Sequence, residues 1–406
     1  MRTLVLLIIG LNLVMAAPDL ATSGAGAILL EFNTSVRAEG MGGAGVATHW
    51  GGDPGAWANP GLLAYQDGVR YTKLESHLVP QLADDIWLRD ERVTFGMGGF
   101  GLLLAREPVD GSFLDMGRQE GTDDAGNPTG SFESWMKAEK IGVGVSLFQL
   151  LESLSGKETP GVSKRFDVSA GYTHIEFEDM LAPDEVLQDG HGGGGSGKAY
   201  SYGALARFTP LNTIGSTHAS GPLGGVRISL AYGMSVLNNS DEMIEHVDAL
   251  QADPFPTMHV KGWSAHVETG FPPDMRQNLE STGLGWLVDS LTPLISFGYA
   301  DQTIEPGIIW DADADEYLYE HDTRGLSDEN STGWELTIAN VWSMRRGHRT
   351  APGQIDGDTE GSSLGFTIGG IGGVRWDKAT VPQATGLGNV EREAFTVWVD
   401  LSDLID

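Results

Sequence analysis

Several stretches of the chain alternate between apolar residues and small or polar ones at a period of two. That period puts every second side chain on one face of a β-strand. In the clearest stretch Val226, Ile228, Leu230, Tyr232, Met234 and Val236 share one face, opposed by Arg227, Ser229, Ala231, Gly233 and Ser235. A second sets Trp334, Leu336, Ile338, Trp342 and Met344 against Glu335, Thr337, Ala339, Ser343 and Arg345. A third sets Leu364, Phe366, Ile368 and Val374 against Gly365, Thr367, Gly369, Gly373 and Arg375. Shorter runs span Thr94–Ala105, Ile141–Phe148, Phe166–Phe177, Tyr200–Phe208 and Ala394–Asp400, which brings the strand candidates to about a dozen.

Two all-β architectures carry such alternation. A soluble sandwich turns one face of each strand to a core and the other to water. A transmembrane antiparallel barrel turns one face to lipid and the other to a crowded lumen. Two features favour the barrel. The non-apolar face is rich in Gly, Ala, Ser and Arg instead of the Lys, Glu and Thr of a solvent face. The strands also run to about ten residues or more, the length a tilted strand needs to cross a bilayer. Trp87, Tyr200, Tyr232, Trp263, Trp286, Trp334 and Trp376 fall near strand ends, where interface girdles sit. Short links alternate with long acidic ones, the pattern of tight turns on one side and long loops on the other. No internal repeat and no long linker divides the chain.

Composition narrows the picture. With 25 basic against 56 acidic residues, the net charge of −31 leaves no basic face for nucleic acid. The acids gather in Glu107–Glu133, Glu176–Asp189, Asn238–Asp253, Asp311–Asn330 and Asp356–Glu360, which read as solvated loops. The 57 glycines and 18 prolines point to turns and close-packed strands. The chain has no cysteine, so neither disulfides nor thiolate metal sites contribute. Arg2, the apolar run Leu4–Val14 and the pair Ala16-Ala17 have the form of a cleaved secretory signal over residues 1–17. That run is shorter than the ~20 residues a spanning helix needs. No later stretch is long and apolar enough for one, which leaves a barrel or an exported soluble protein.

Behind that leader stand Val36-Arg37-Ala38-Glu39-Gly40-Met41-Gly42-Gly43-Ala44-Gly45-Val46-Ala47, Asp53-Pro54 and Asn59-Pro60-Gly61-Leu62-Leu63-Ala64. This run resembles the opening of the PorV/PorQ-type, FadL-like outer-membrane barrels of Gram-negative bacteria. It carries Gly61-Leu62-Leu63-Ala64 where that family has Ala-Gly-Leu-Ala. Further on, Gly333-Trp334-Glu335-Leu336 with Asn340–His348 is similar to a strand pair of the family, and Ser363–Gly369 to its glycine-rich strand. Val381-Pro382, Leu387-Gly388-Asn389, Arg392 and Phe395-Thr396-Val397 resemble its closing element, with Val390-Glu391 in place of Thr-His. The resemblance reaches from residue 24 to residue 401. It implies a barrel of about 14 strands over residues 68–401, a hatch-like segment over 18–67, a short tail over 402–406, and a place in the cell outer membrane. In place of the family's terminal aromatic residue the chain runs on through Leu401–Asp406, so Trp398 or Leu401 is expected to close the last strand.

Candidate site residues follow from these readings. Gly40, Gly42, Gly43 and Gly45 would let backbone lie directly on the inner wall, and Asn59-Pro60 would fix a turn ahead of a first strand at Val69. The alternative is that Glu39–Ala47 is itself a glycine-rich first strand. Arg227, Arg345 and Arg375 would enter the lumen, to pair with carboxylates that hold a plug or to bind an acidic head group. Asp311, Asp313 and Asp315 have the 1, 3, 5 spacing of a calcium loop, but Glu316 stands where the sharp turn wants Gly and Asp322 where it wants Glu. An EF-hand is thereby excluded, and a looser calcium site competes with a plain solvated loop. No other cofactor is expected. Gly192–Ala199 imitates a phosphate loop but ends in Ala199 and leads into a strand. The histidines form no metal-spaced pair and no nucleophile elbow occurs; His174 and His266, on strand candidates, are expected to be structural, and no catalytic residue is assigned.

Three functions compete. The first is handling of cargo at the outer membrane in a type IX secretion-like role, with secreted proteins as partners. The second is passive uptake of hydrophobic small molecules such as fatty acids, which would predict an apolar lumenal site and a break in the wall. The third is an outer-membrane hydrolase with Ser or Asp beside His at the rim. All three imply contact with outer-membrane lipids and with the barrel insertion machinery.

Overall fold

In the computed structural model the described residues are 26–51, 57–80, 83–122, 128–155, 162–181, 193–214, 224–245, 252–311, 316–319, 328–351, 355–368, 371–383 and 388–401. The expected signal (1–17) and tail (402–406) lie outside them, as do Asp313, Asp315 and Gly192. The strands are β1 (Gly68–His77), β2 (Trp87–Met97), β3 (Phe100–Ala105), β4 (Gly111–Thr122), β5 (Pro128–Ser146), β6 (Phe166–Met180) and β7 (Gly194–Asn212). They continue with β8 (Val226–Asn239), β9 (Met243–Glu245), β10 (Ala252–Pro254), β11 (Met258–Thr269), β12 (Ile295–Pro306), β13 (Ile308–Asp311) and β14 (Glu316–Tyr319). The last are β15 (Glu329–Ile338), β16 (Trp342–Ala351), β17 (Ile355–Ile368), β18 (Gly372–Val381) and β19 (Val390–Val399).

Fifteen of these strands form one antiparallel sheet, which closes through β1 pairing with both β19 and β2. β3 and β4 share a single place between β2 and β5, so the wall has 14 strand positions. Two small hairpins, β9 with β10 and β13 with β14, stand at the end we call the upper rim. The lower rim is where β1 begins and β19 ends. Its links include the two-glycine turn Gly98-Gly99 (φ 58° and 84°) and a turn at Ala339-Asn340, both at φ 53°. Two consecutive left-handed residues twist a tight hairpin the way its strands twist.

That turn splits the second alternating stretch in two: Trp334, Leu336 and Ile338 lie on β15, Trp342 and Met344 on β16. The third stretch is likewise divided between β17 and β18. Trp286 belongs to a short helix, Gly285–Ser290, and not to a strand-end girdle. β19 closes on Val399 and not on Trp398 or Leu401; Trp398 lies under the Arg70 guanidinium, 5.1 Å from its ring centre.

The wall's two faces differ as a bilayer-spanning barrel requires. Leu102, Ile141, Tyr172, Leu230, Trp263, Phe297, Leu364, Phe366, Trp376 and Phe395 are exposed on the outer face. Nearer the upper rim the outer face turns charged, with cross-strand pairs Lys73–Glu91, Arg346–Glu360, Lys261–Glu305 and Lys378–Glu391. Charged outer side chains there place the upper strand ends above the hydrocarbon.

The place shared by β3 and β4 is irregular. Leu104 pairs with Val93 and Gly111 with Glu91. On the other side Ala105 pairs with Lys140 and Ser112 with Ala138. Residues 106–110 therefore leave the ladder while each neighbouring strand runs straight on. Arg106 reaches Glu139 at 3.4 Å and Glu176 at 3.8 Å, both on the outward faces of their strands, so the excursion lies outside the wall.

Candidate functional site in the lumen

The lumen is occupied by the chain's own residues 26–51 and 57–67, almost all of them buried. No strand forms among them. Ile28–Glu31 makes a 3-10 turn, Val36–Glu39 a single helical turn capped by the Ser35 hydroxyl, and Pro60–Tyr65 a second 3-10 turn. The glycine-rich stretch after Glu39 is thus a series of turns, not a first strand. Four left-handed or close-packed glycines in a row offer too little side chain for a strand to bury.

In the upper lumen the contact is apolar. Leu29, Leu30 and Val36 pack with Leu74, Leu88, Leu114, Met136, Ile175, Phe177 and Val381 from the wall, roofed by Ile244 of β9 and by Phe255. Those wall residues face inward because they alternate with outward ones. Asn238 ties this layer down, donating from Nδ2 to the Leu30 carbonyl at 3.1 Å.

At mid-height the contact is backbone on glycine. Inward-facing Gly333 of β15 and Gly347 of β16 lie against the Met41 backbone, Gly233 of β8 against Val46, Gly171 of β6 against Pro60 and Gly101 of β3 against Leu63. A Cβ at any of these positions would overlap a main-chain atom of the segment. Among the expected glycines, Gly42 is the most constrained. Its φ is +76°, and a Cβ there would fall 2.6 Å from the His348 carbonyl oxygen. Gly40 faces Gly361, and Gly45 fits beside Ala58, whereas Gly43 (φ +95°) meets only side chains.

Wall side chains catch the segment's exposed backbone groups at the same level. Gln302 Oε1 accepts from the Gly45 and Val46 amides at 2.9 and 2.8 Å, and Thr359 accepts from the Gly42 amide at 2.9 Å. Ser264 donates to the Ala47 carbonyl at 2.7 Å. Asn59, ahead of Pro60, caps the 3-10 turn by accepting from Gly61 at 2.9 Å and donates to the carbonyls of Val46 and Ala204. Asn59 is fully buried, so it fixes a 3-10 turn and two chain crossings, more than the simple turn the sequence implied.

The buried charges form a network. Glu335 accepts from Arg37 through both oxygens at 2.9 Å, from Arg345 at 2.5 Å and from the Trp50 indole at 3.0 Å. Arg345 also meets Asp377 at 3.0 Å and Ser363 at 3.0 Å. Arg375 holds the same Asp377 at 2.7 Å and donates to the Gly51 carbonyl. Arg345 and Arg375 are thus set in the lumen, each opposite a carboxylate. Arg227 stands apart at the lower mouth, paired with Glu268 and half open to solvent. A second group joins Glu39 to Arg392 at 3.4 Å and Arg349 at 3.8 Å. Arg37, Glu39, Glu335 and Asp377 were not singled out from sequence, although Glu335 stands on the polar face of an alternating stretch.

Below the segment a polar cavity of about 620 Å³ opens at the lower rim, lined by His49, Trp50, Lys164, Arg207, Arg227, His266 and Glu268 among others. His266 stacks on Trp50 with ring centres 4.8 Å apart. Enclosure, and after it the charge of Arg207, holds His49 well below the usual histidine range and therefore neutral. His174 lies on the outer face beside Tyr200 and Glu176. A smaller cavity of about 30 Å³ lies behind the excursion between β3 and β4, lined by Thr34, Trp57, Leu103, Lys140 and Ile175 among others. Of the expected calcium site only Asp311 falls within the described residues, and among these no cluster of metal-spaced ligands occurs. Gly194–Lys198 of the phosphate-loop look-alike lies within β7.

No family model matches the chain, and no curated protein matches it. Among solved structures it is similar to the toluene transporter TbuX of Ralstonia pickettii, at a TM-score of 0.42 and 11% identity over 89% of this chain and 97% of that one. It is also similar to a FadL homologue of Pseudomonas aeruginosa (TM-score 0.37, 12% identity, 94% and 98% covered). The Pseudomonas putida toluene transporter TodX is comparable (TM-score 0.39, 10% identity, 90% and 97% covered). These are likenesses of barrel outline, and nothing about cargo follows from them.

Proposed function

We propose that this chain is an outer-membrane barrel that lets hydrophobic small molecules pass, with residues 26–67 as the hatch. The observation that carries the reading is the apolar inner wall of the upper lumen. A pore for polar solutes has a polar, water-filled interior. Here Leu74, Leu88, Leu114, Ile175 and Phe177 face inward and are covered by Ala27, Leu29, Leu30, Phe32 and Val36 of the segment, beneath Ile244 and Phe255. Apolar contact is non-directional, so a hydrophobic solute can take the place of those segment side chains while the backbone keeps its bonds from Asn238, Arg392 and Arg92.

The excursion between β3 and β4 is where we place the exit. Residues 106–110 leave the ladder directly outside the small lumenal cavity, where Arg92 of β2 and Glu139 of β5 have no ladder partner in the place shared by β3 and β4. Sideways release into the bilayer suits a solute that prefers hydrocarbon to water. The secretion reading needs a passage wide enough for a protein, and the described lumen is filled from the upper apolar layer to the glycine level. Nothing in the described lumen favours the PorV/PorQ branch of the resemblance, and among the described residues no Ser, His and carboxylate are hydrogen-bonded together at a rim to favour hydrolysis.

The test is uptake of a labelled aromatic or alkane solute into proteoliposomes containing the purified barrel. Uptake above barrel-free vesicles is expected, and deleting residues 106–110 to restore a straight strand should abolish it while the barrel stays heat-modifiable. Uptake no faster than in empty vesicles would overturn the proposal.

A further inference from the structure

The helix Leu147–Ser155 follows β5 at the lower rim, and its amphipathicity is inverted with respect to the protein. Its polar side faces the barrel. Gln149 donates to Asp167 at 3.0 Å, Glu152 accepts from the Ser163 amide at 3.1 Å, and Ser153 lies on the Gly98-Gly99 turn, where a Cβ at Gly98 would sit 2.9 Å from its hydroxyl. Its apolar side faces away. Leu147, Leu151 and Leu154, at i, i+4 and i+7, fall on one stripe of a helix and are 52%, 54% and 75% exposed.

A helix on a water-facing rim does the reverse, burying leucines and turning glutamine and serine outward. The outward stripe also continues the barrel's own lipid-facing surface. Met97, at the end of β2, and Leu102 of β3 are exposed beside the same turn, and Phe148 packs edge-on against Phe166 at the foot of β6 with ring centres 5.8 Å apart. We infer that this helix lies in the inner-leaflet interface of the outer membrane, its leucine stripe immersed among lipid acyl chains, and anchors the lower rim at a fixed depth. An amphipathic helix in that position gains from every apolar side chain it buries below the headgroups. The inference does not depend on what the barrel transports.

The cysteine-free chain makes the test direct. Leu151→Cys and Leu154→Cys, each spin-labelled in the full-length barrel reconstituted in phosphatidylethanolamine–phosphatidylglycerol vesicles, report depth through relaxation by oxygen against a water-soluble nickel chelate. The expected result is oxygen accessibility exceeding nickel accessibility at both positions, matching a label at Leu102→Cys on the wall. Nickel accessibility in excess at both would overturn the inference by placing the stripe in water. Protection from both reagents would also overturn it, since a protein partner would then cover the stripe. Heat-modifiability of each labelled variant checks that the barrel has closed.

Discussion

Residues 27–36 and residues 37–51 with 57–66 belong to one segment inside one barrel, yet the wall holds them by different forces. The upper part rests its side chains on leucine, isoleucine and phenylalanine, with its Leu30, Asn33 and Thr34 carbonyls held by Asn238, Arg392 and Arg92. The lower part rests on glycine Cα atoms, hydrogen bonds and buried ion pairs, with Val46, Ala58 and Leu62 packed among Leu205, Val260 and Ile304. The apolar contact carries no positional information beyond shape, so another apolar body can replace it. The glycine and charge contacts specify one backbone path, because a shift of a few ångströms leaves buried charges and amides without partners. A segment built this way keeps its backbone path fixed throughout, while the apolar side chains of its upper half can be replaced by another apolar body, which is the division a hatch over a hydrophobic binding surface needs.

The contrast is broken most strongly at Glu335. Glu335→Ala leaves Arg37 and Arg345 facing each other in a buried site with one carboxylate fewer, and removing one partner of a buried pair costs about 3–5 kcal/mol. The lower half of the segment should lose its seat. In planar bilayers the variant is expected to show larger and more frequent ion conductance than the wild type, with cleavage by added protease near Arg37. Unchanged conductance would show that the glycine contacts suffice alone.

Leu30→Ala tests the other half. Leu30 is fully buried, and a leucine truncated in a packed core costs about 2–5 kcal/mol, the cost rising with the cavity that remains. Because the wall around it is apolar, a hydrophobic solute should fill that cavity. The variant is expected to bind an aromatic solute more tightly than the wild type, with no rise in ion conductance, since the lower seat is intact. A conductance rise equal to that of Glu335→Ala would erase the distinction between the halves.

How far this was legible in the sequence divides along the same line. The barrel was legible because a wall strand repeats its chemistry every second residue, and Val226–Val236 or Leu364–Ile368 show that repeat without help from any other part of the chain. Turns were less so: Ala339 read as the small face of a continuing strand, and only its left-handed backbone reveals a hairpin. The segment's glycines were visible as a cluster, but their counterparts Gly101, Gly171, Gly233, Gly333 and Gly347 were not, being scattered singly over strands whose neighbourhood only closure of the sheet creates. Glu335 and Asp377 were hidden for the same reason. A lone acid on a polar face is ordinary until two guanidinium groups converge on it.

Gly333→Val comes next in size. The added side chain would occupy the place of the Met41 carbonyl, and overpacking a close contact typically costs about 1–3 kcal/mol. Since neither β15 nor β16 can move without breaking its ladder, the segment should give way. The expected readout is a partial version of the Glu335→Ala phenotype, reverted by Gly333→Ala only in part, because even one methyl meets the same carbonyl.

The smallest and most discriminating change is at Asn59, whose amide does two jobs with two atoms. Its oxygen caps the 3-10 turn at Pro60–Tyr65, and its nitrogen donates to Val46 at 2.9 Å and Ala204 at 3.0 Å. Asn59→Ala removes both and should cost about 1–3 kcal/mol, the price of leaving buried carbonyls unpaired. Asn59→Asp separates the roles. Aspartate caps a helical turn as well as asparagine does, so if capping dominates, the variant should match the wild type in protease resistance and conductance. A carboxylate facing the Val46 and Ala204 carbonyls cannot donate and repels both, so if the crossings dominate it should be worse than alanine. The structure favours the second outcome, because the cap serves one turn of six residues whereas the two donations tie the segment's returning limb to its outgoing limb and to β7 at once. An aspartate variant no leakier than the wild type would reassign Asn59 to local turn formation and leave the glycine seat to hold the crossing unaided.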